Sequence, residues 1–346
     1  MRHFDYTDLK NKCWDNEVIN YLSLIHEYKG KQSAYLRQKS SELERLVEIA
    51  KVQSTEASNS IEGIRTTQTR LHQLMSQRTT PRNRDEGEIA GYRDALNIIH
   101  ENFSYIPLTP NYILQLHKIL LSYTDSAFGG SFKNVQNYIS ATDESGKLFT
   151  LFTPLSPYET PEAMQALCHE YNRTISEGRI DALLIIPVFI HDFLCIHPFL
   201  DGNGRISRLL TTLLLYHAGY EIGKYISLEA KIAKNKDAYY AALEDSQVGW
   251  HERQDDPTAF VKYLLSTILA AYRDLDDRIC IISTTSLDTV RNAIDSRLGK
   301  FTKTEILELC PSLSASTVER HLRKLTEQSI LSKHGAGRNT FYTKNK

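Results

Sequence analysis

Over most of the first 280 residues the apolar positions fall at helical spacing. Between Ser40 and Ile64, Leu43, Leu46, Val47, Ile49, Ala50 and Val52 recur every three to four residues with no proline among them, which predicts one amphipathic helix. The polar, proline-initiated stretch 81–88 (PRNRDEGE) reads as a linker before a second helical run, Ile89–Ile99. Thr109 and Pro110 offer a cap and a first-turn proline to another helix, with Tyr112, Leu116, Ile119 and Leu120 as its buried side. Pro161, just after Thr160, opens a further helix. The run DALLIIPVFIHDFLCI (181–196), apolar almost all round, predicts the central buried helix with Pro187 as a kink in it.

The pattern changes twice. From 129 to 161 aromatic and β-branched residues alternate with turn formers, which predicts a hairpin with arms YIS (138–140) and LFTLF (148–152) and a tip at 141–147. Two strands alone are marginally stable, so this hairpin must lie on the helical body or work as a flap. From about 283 a third unit begins. FTKTEILELC is a helix opening on Thr302 and Glu305, PSL is a turn, and SASTVERHLRKLTEQ is a second helix. SILSKHGAGRNTFYTK supplies two short strands around HGAGRN, completing the order of a winged helix-turn-helix. The chain therefore reads as mainly α: an N-terminal helical region (1–85), a helical-bundle core with a β-hairpin flap (86–280) and a winged helix-turn-helix domain (285–346).

Composition narrows the class. A chain of 346 residues has room for two or three domains and a sizeable core, and 41% hydrophobic with 24% charged residues excludes a mainly disordered or fibrous chain. With 41 Lys and Arg against 42 Asp and Glu, the whole chain has no electrostatic footprint for nucleic acid or membrane. The segment 300–346 is locally basic, with nine basic against four acidic residues. Thr317, Arg320, His321 and Lys324 recur at helical spacing there, and Arg338 marks a wing tip, which makes DNA one partner to expect and a docking protein another. The longest apolar run, nine residues from Ala182, falls short of the roughly 20 that a bilayer span needs, so no membrane is expected. The start MRHFDYTDLK has no apolar signal segment, and five scattered cysteines without a CxxC pair read as reduced thiols; a cytoplasmic location follows as the expectation.

The chemistry concentrates in His197-Pro198-Phe199-Leu200-Asp201-Gly202-Asn203-Gly204-Arg205-Ile206-Ser207-Arg208. Pro198 stops the buried helix, and Gly202, Asn203 and Gly204 tolerate the backbone angles of an anion-binding nest ahead of a new helix. The dipole at that helix start adds about half a positive charge, and Arg205 and Arg208, three residues apart, can each fork onto phosphate oxygens. Asp201 beside a polyanion site makes sense if Mg2+ sits between them. His197, neutral near its ordinary pKa of about 6.5, can take a proton from a hydroxyl. Together these groups suit transfer of part of a nucleotide to a hydroxyl. Neither a GxxxxGK[ST] run nor an HRD/DFG pair is present, which argues against P-loop ATPases and protein kinases.

HPFLDGNGRISR resembles, without a departure, the signature of the Fic (filamentation induced by cAMP) family, His-x-Phe-x-Asp/Glu-Gly-Asn-Gly-Arg-x-x-Arg. LHKILLSYTDSAFGGSFKNVQNYIS resembles the family's helix and flap strand upstream of the motif, and ISLEAKIAKNKDAYYAAL its helical stretch downstream, so the likeness covers about residues 40 to 275. It implies an adenylyltransferase that moves AMP from ATP to a Ser, Thr or Tyr hydroxyl of a protein. His197 would be the base, Phe199 the anchor of the loop and Asp201 the Mg2+ ligand. Gly202, Asn203 and Gly204 would cradle phosphate, Arg205 would pair near the β-phosphate and Arg208 with the γ-phosphate. Ser58-Asn59-Ser60-Ile61-Glu62-Gly63 resembles the family's inhibitory motif Ser/Thr-x-x-x-Glu-Gly/Asn, which implies that Glu62 occupies Arg208. Lys133, Gln136 and Asn137 lie where the flap strand should approach the nucleotide, with Lys133 standing where many relatives have arginine; Asn235, Tyr239 and Tyr240 are adenine-pocket candidates. Two rivals remain open, a DNA-binding regulator that senses ATP and a Fic-type deadenylylase. The target protein is not legible, and self-modification and a homodimer are both compatible with the sequence.

Overall fold

In the computed structural model the chain is described at residues 3–36, 40–142, 146–283, 286–297, 299–310, 313–337 and 340–345. It divides into two compact units, Met1–Leu275 and Asp276–Lys346. The first contains α1 (Asn16–Leu36), α2 (Ser40–Ile61), α3 (Gln68–Met75), α4 (Arg84–Asn102) and α5 (Pro110–Leu120). A hairpin follows, β1 (Ile139–Thr142) and β2 (Leu148–Phe152). Then come α6 (Thr160–Glu177), α7 (Ala182–Ile196), α8 (Asn203–His217), α9 (Ile222–Tyr225), α10 (Leu228–Lys234), α11 (Lys236–Gln247) and α12 (Thr258–Ser283), the last of which continues past Leu275. Among the described residues no helix is long and apolar enough to cross a membrane.

The centre is the pair α7 and α8. Asp181 caps α7 by accepting the Leu183 N–H (2.9 Å), Pro187 lies inside it, and every residue from Leu183 to Ile196 is buried. The helix α6 packs on α7, while α4 bridges α5 and α8, and α2 runs against α4, α9 and α10. This arrangement brings the end of α2, the start of α4 and the loop between α7 and α8 to one place.

The stretch 81–88, read as linker, is helical from Arg84. Asn83 caps the helix by accepting the Glu86 N–H (2.9 Å), and Glu86 is held by Arg70 (2.5 Å). A polar run thus starts a helix because its charges meet partners on α3 and its loop, contacts that periodicity does not register. On α5 the expected face is rotated: Ile113, Leu116, His117 and Leu120 are buried, and Tyr112 and Ile119 are half-buried. His117 takes an inward position because both its ring nitrogens find partners, the Gly130 N–H and the Asp201 carbonyl.

The hairpin is antiparallel, with Ala141 opposite Phe149, Thr142 opposite Leu148 and an irregularity between Ile139 and Ser140. Part of its expected tip, 143–145, lies outside the described residues. At its base Phe152 is buried edge-on against Trp250 (ring centres 6.1 Å apart).

The second unit contains α13 (Ser286–Asp295), α14 (Lys303–Leu309), α15 (Ala315–Glu327) and an antiparallel pair, β3 (Leu331–His334) and β4 (Phe341–Lys344). Thr302 and Glu305 form the expected capping box of α14. Val290, Phe301, Ile306, Val318, Leu322 and Leu331 are in its core. The residues of α13 were not read as a helix from the sequence; Val290, Ala293 and Ile294 supply its buried face. His321 points inward, 2.8 Å from the Ser286 hydroxyl, while Arg338 lies outside the described residues.

Candidate active site

The motif loop begins where α7 ends. His197 takes a left-handed backbone conformation (φ 50°, ψ 62°), which costs a non-glycine residue roughly 1–2 kcal/mol. Its Nδ1 lies 3.1 Å from the Leu194 carbonyl, which can only accept, so Nδ1 carries the proton and Nε2 is left as the acceptor nitrogen. Burial pushes the imidazolium down to about 4, so this ring is neutral at ordinary pH.

Phe199 is fully buried, stacked on His117 with ring centres 3.8 Å apart. His117 accepts the Gly130 N–H at Nδ1 (3.0 Å) and donates from Nε2 to the Asp201 carbonyl (3.0 Å). The Asn203 side chain closes the loop, accepting the Phe199 N–H (2.9 Å) and donating to the Phe199 carbonyl (2.8 Å). It thus braces the loop, and any contact of Asn203 with phosphate falls to its backbone N–H.

The two glycines serve different needs. Gly202 has φ +86°, and a Cβ there would sit 3.0 Å from the Leu120 side chain. Gly204 is helical, but a Cβ there would collide with the Glu62 carboxylate. Ile206 donates to the Gly202 carbonyl (2.9 Å), so the N–H groups of Asn203, Gly204 and Arg205 before it have no intrahelical partner. This leaves three successive donors at the start of α8.

Arg205 and Arg208 leave α8 in different directions. Arg205 is buried; it donates to Glu88 through Nη1 and to Asp201 Oδ1 through Nη2 (3.1 Å), while its buried Nε has no partner among the described residues. Glu88 also holds Arg84 (2.6 Å), and Arg84 reaches Asp201 Oδ2 (2.7 Å). Glu88 and Arg84 were missed in the sequence because the first turn of α4 was read as linker; their i,i+4 spacing was the available signal.

Arg208 meets α2 instead. Its Nε donates to the Ser58 hydroxyl (2.8 Å), and its Nη2 donates to the Ser58 carbonyl (2.9 Å) and to Glu62 Oε1 (2.7 Å). Glu62 follows the last residue of α2, and Gly63 (φ +83°) turns the chain away, with Lys236 donating to the Ile61 carbonyl (2.6 Å). Ser58, Glu62 and Arg208, 150 residues apart at the extremes, are thus in direct contact.

A cavity of about 530 Å³ opens beside these groups. His197, Asp201, Gly202, Asn203, Gly204, Arg205, Arg208 and Glu62 line it, with Ile139 to Ala141 of the hairpin along one side. Tyr239 and Tyr240 line it, and Leu243, Glu244 and Gln247 continue the same side of α11 at helical spacing, a signal that could have been followed. Asn235 stands at the start of α11 outside the lining, and Lys133 is buried on the Ile196 carbonyl (3.0 Å) away from it. Elsewhere His191, Asp192 and Asp255 approach one another closely, but Asp192 accepts from Tyr6 (2.8 Å) and Trp250 (2.7 Å).

As to Mg2+, the donor chemistry fits. Asp201 offers hard carboxylate oxygens, its side chain is 34% exposed, and it stands beside the helix-start donors.

Residues 107–215 match the profile of the Fic/DOC family. The chain is 25% identical over 218 residues to the protein adenylyltransferase fic-1 of Caenorhabditis elegans, covering 62% of this chain and 38% of that protein. It is 31% identical over 137 residues to the protein adenylyltransferase Fic of Drosophila grimshawi, covering 39% of this chain and 26% of that protein. The chain therefore spans well under half of these curated relatives. The crystal structure of a Fic family protein from Desulfovibrio desulfuricans G20 shares the fold, with a TM-score of 0.64 at 19% identity over 96% of this chain and 97% of that one.

Proposed function

We propose that this chain, which carries a Fic/DOC-family segment at 107–215, transfers AMP from ATP to a Ser, Thr or Tyr hydroxyl of a protein. The observation that carries the reading is the fixed tautomer of His197: a neutral ring lining the cavity, with Nε2 as acceptor, next to a row of free helix-start N–H groups. His197 Nε2 takes the proton of the target hydroxyl, whose oxygen bonds to the α-phosphorus; the bond from that phosphorus to the bridging oxygen breaks, and pyrophosphate leaves. The N–H groups of Asn203 and Gly204 and the guanidinium of Arg208 hold phosphate oxygens, and Arg205 steadies Asp201. Asp201 would hold Mg2+ together with the phosphates, and the ion, when bound, neutralises their charge. Tyr239 and Tyr240 flank the base, and the exposed edge of the hairpin offers backbone groups to an extended target segment.

Glu62 restrains this activity by holding Arg208. The second unit, in which α14 and α15 are followed by the paired β3 and β4, is read as a winged helix-turn-helix module. His321 is buried against Ser286, which removes it from base reading on α15 and favours protein docking. A cytoplasmic location and self-modification belong to the same reading.

Incubating the full chain and its Glu62→Gly variant with α-labelled ATP and Mg2+ tests it. Label on a protein hydroxyl from the α-position, lost in His197→Ala, is expected. Transfer from γ-labelled ATP instead would overturn it.

A further inference from the structure

Lys133 and Asn137 do something that the sequence does not suggest. They stand opposite four successive backbone carbonyls, those of residues 196–199, and supply each with a donor. The Lys133 ammonium donates to Ile196 (3.0 Å), the Asn137 amide to His197 (3.1 Å), the Lys133 backbone N–H to Pro198 (2.8 Å) and the Asn137 amide again to Phe199 (2.9 Å). The amide spends both its hydrogens this way and its oxygen accepts from the Lys133 ammonium (2.8 Å), so the pair is locked on itself as well as on the loop.

We propose that Lys133 and Asn137 are positioning residues: together they hold His197 in its left-handed conformation and thereby fix the direction of its ring. The proposal rests on the reading of His197 as the base. A left-handed histidine is disfavoured by its own Cβ and persists only where surrounding contacts determine it. Here the contacts fall on the carbonyls of His197 and of the residues on either side of it. A rotation of the loop about His197 would strand a buried ammonium, which is costly, so the grip is stiff. Burial pushes the Lys133 ammonium down to about 8, in keeping with a donor kept out of water. The strap also runs directly into β1, which starts two residues after Asn137 and borders the cavity, so base and target-docking edge are set from one segment.

The test uses the full chain carrying Glu62→Gly, alone and with Asn137→Asp, Lys133→Met or Lys133→Arg. Two quantities are measured: kcat and KM for ATP in AMP transfer, and the ring nitrogen NMR signals of His197. Asn137→Asp should cut kcat on the order of 30- to 100-fold with KM within threefold, and the ring should lose its single Nδ1–H pattern. Lys133→Met should lose about tenfold, and Lys133→Arg, which still donates, should recover most of it. Should Lys133→Met fail to fold, Asn137→Asp and Lys133→Arg carry the test. A rise in KM at constant kcat would overturn the proposal by making these residues nucleotide contacts. Unchanged kcat with an unchanged ring pattern would overturn it too. If the Glu62→Gly parent transfers no AMP, adenylyl transfer fails as a reading, and the NMR pattern alone decides whether the strap holds the ring.

Discussion

Arg205 and Arg208 lie one turn apart on α8, yet their partners differ in kind. Arg205 meets Glu88, an acid whose side chain is 4% exposed inside a helix packed on both sides. Arg208 meets Glu62, 32% exposed, at the C-terminal end of α2 where Gly63 turns the chain. A pair closed in on both sides is part of the structure, because truncating one partner leaves a charge in a place water cannot reach. A pair open on one side can be exchanged for a phosphate, since solvent and ligand share access to it. Two arginines of one motif are therefore divided between a fixed brace and a releasable grip.

The largest expected effect breaks the brace. Glu88→Ala should destabilise the chain by about 3 kcal/mol, because the buried Arg205 keeps only its 3.1 Å contact with Asp201, and Glu62→Ala by no more than about 1 kcal/mol, because Glu62 is partly exposed and Ser58 still serves Arg208. Urea unfolding of the two variants measures the difference, and equal losses would erase the distinction between the arginines.

Next comes the grip. Arg208→Ala should stay nearly inactive with or without Glu62, whereas Glu62→Gly should raise initial labelling rates tens-fold below ATP saturation, about 2 kcal/mol in productive binding. Equal rates for the unmodified and Glu62→Gly proteins would reject restraint by Glu62.

A subtler variant sharpens the same contrast at Gly204. Gly204→Ala places a methyl against both the Glu62 carboxylate and the Arg208 guanidinium, in the space a phosphate on Arg208 would take, so it should loosen the Glu62–Arg208 pair without raising labelling, which the same initial-rate comparison reads. Labelling raised to the level of Glu62→Gly would show that the methyl leaves room for phosphate on Arg208.

The smallest effect is in pH. With the folded His197 pushed down to about 4 against an ordinary 6.5, the unfolded chain binds the proton first as pH falls. The folded state should therefore lose stability between about pH 6.5 and 4, and an NMR titration of the ring should show its midpoint near 4. A midpoint near 6.5 would mean that water reaches the ring freely.

Much of this was legible beforehand where the physics is local. The caps at Thr109 and Thr302, the hairpin arms and the buried run ending at Ile196 follow from residue order, since each depends on neighbours within a turn or two. The twelve-residue motif was legible for the same reason, its row of N–H groups being made by the chain that carries it. What periodicity misplaced, residues 81–88 and the inward face of α5, are segments whose polar side chains are held by partners far along the chain: Glu86 by Arg70, Glu88 by Arg205, His117 by Gly130 and Asp201.

Sequence alone determined that His197, Asp201, the glycines and the two arginines share one loop and one helix start, because twelve consecutive residues cannot be far apart. Only the tertiary structure decided what each of them is free to do. Lys133 was placed by its position in the flap as a nucleotide contact, yet it points at the backbone behind His197. Arg205 and Arg208 are alike in residue type and helix, and their difference comes wholly from α4 and α2, more than a hundred residues upstream. Coulomb attraction and desolvation act through space, so which acid faces which arginine, and whether water stands between them, is settled only when the helices pack.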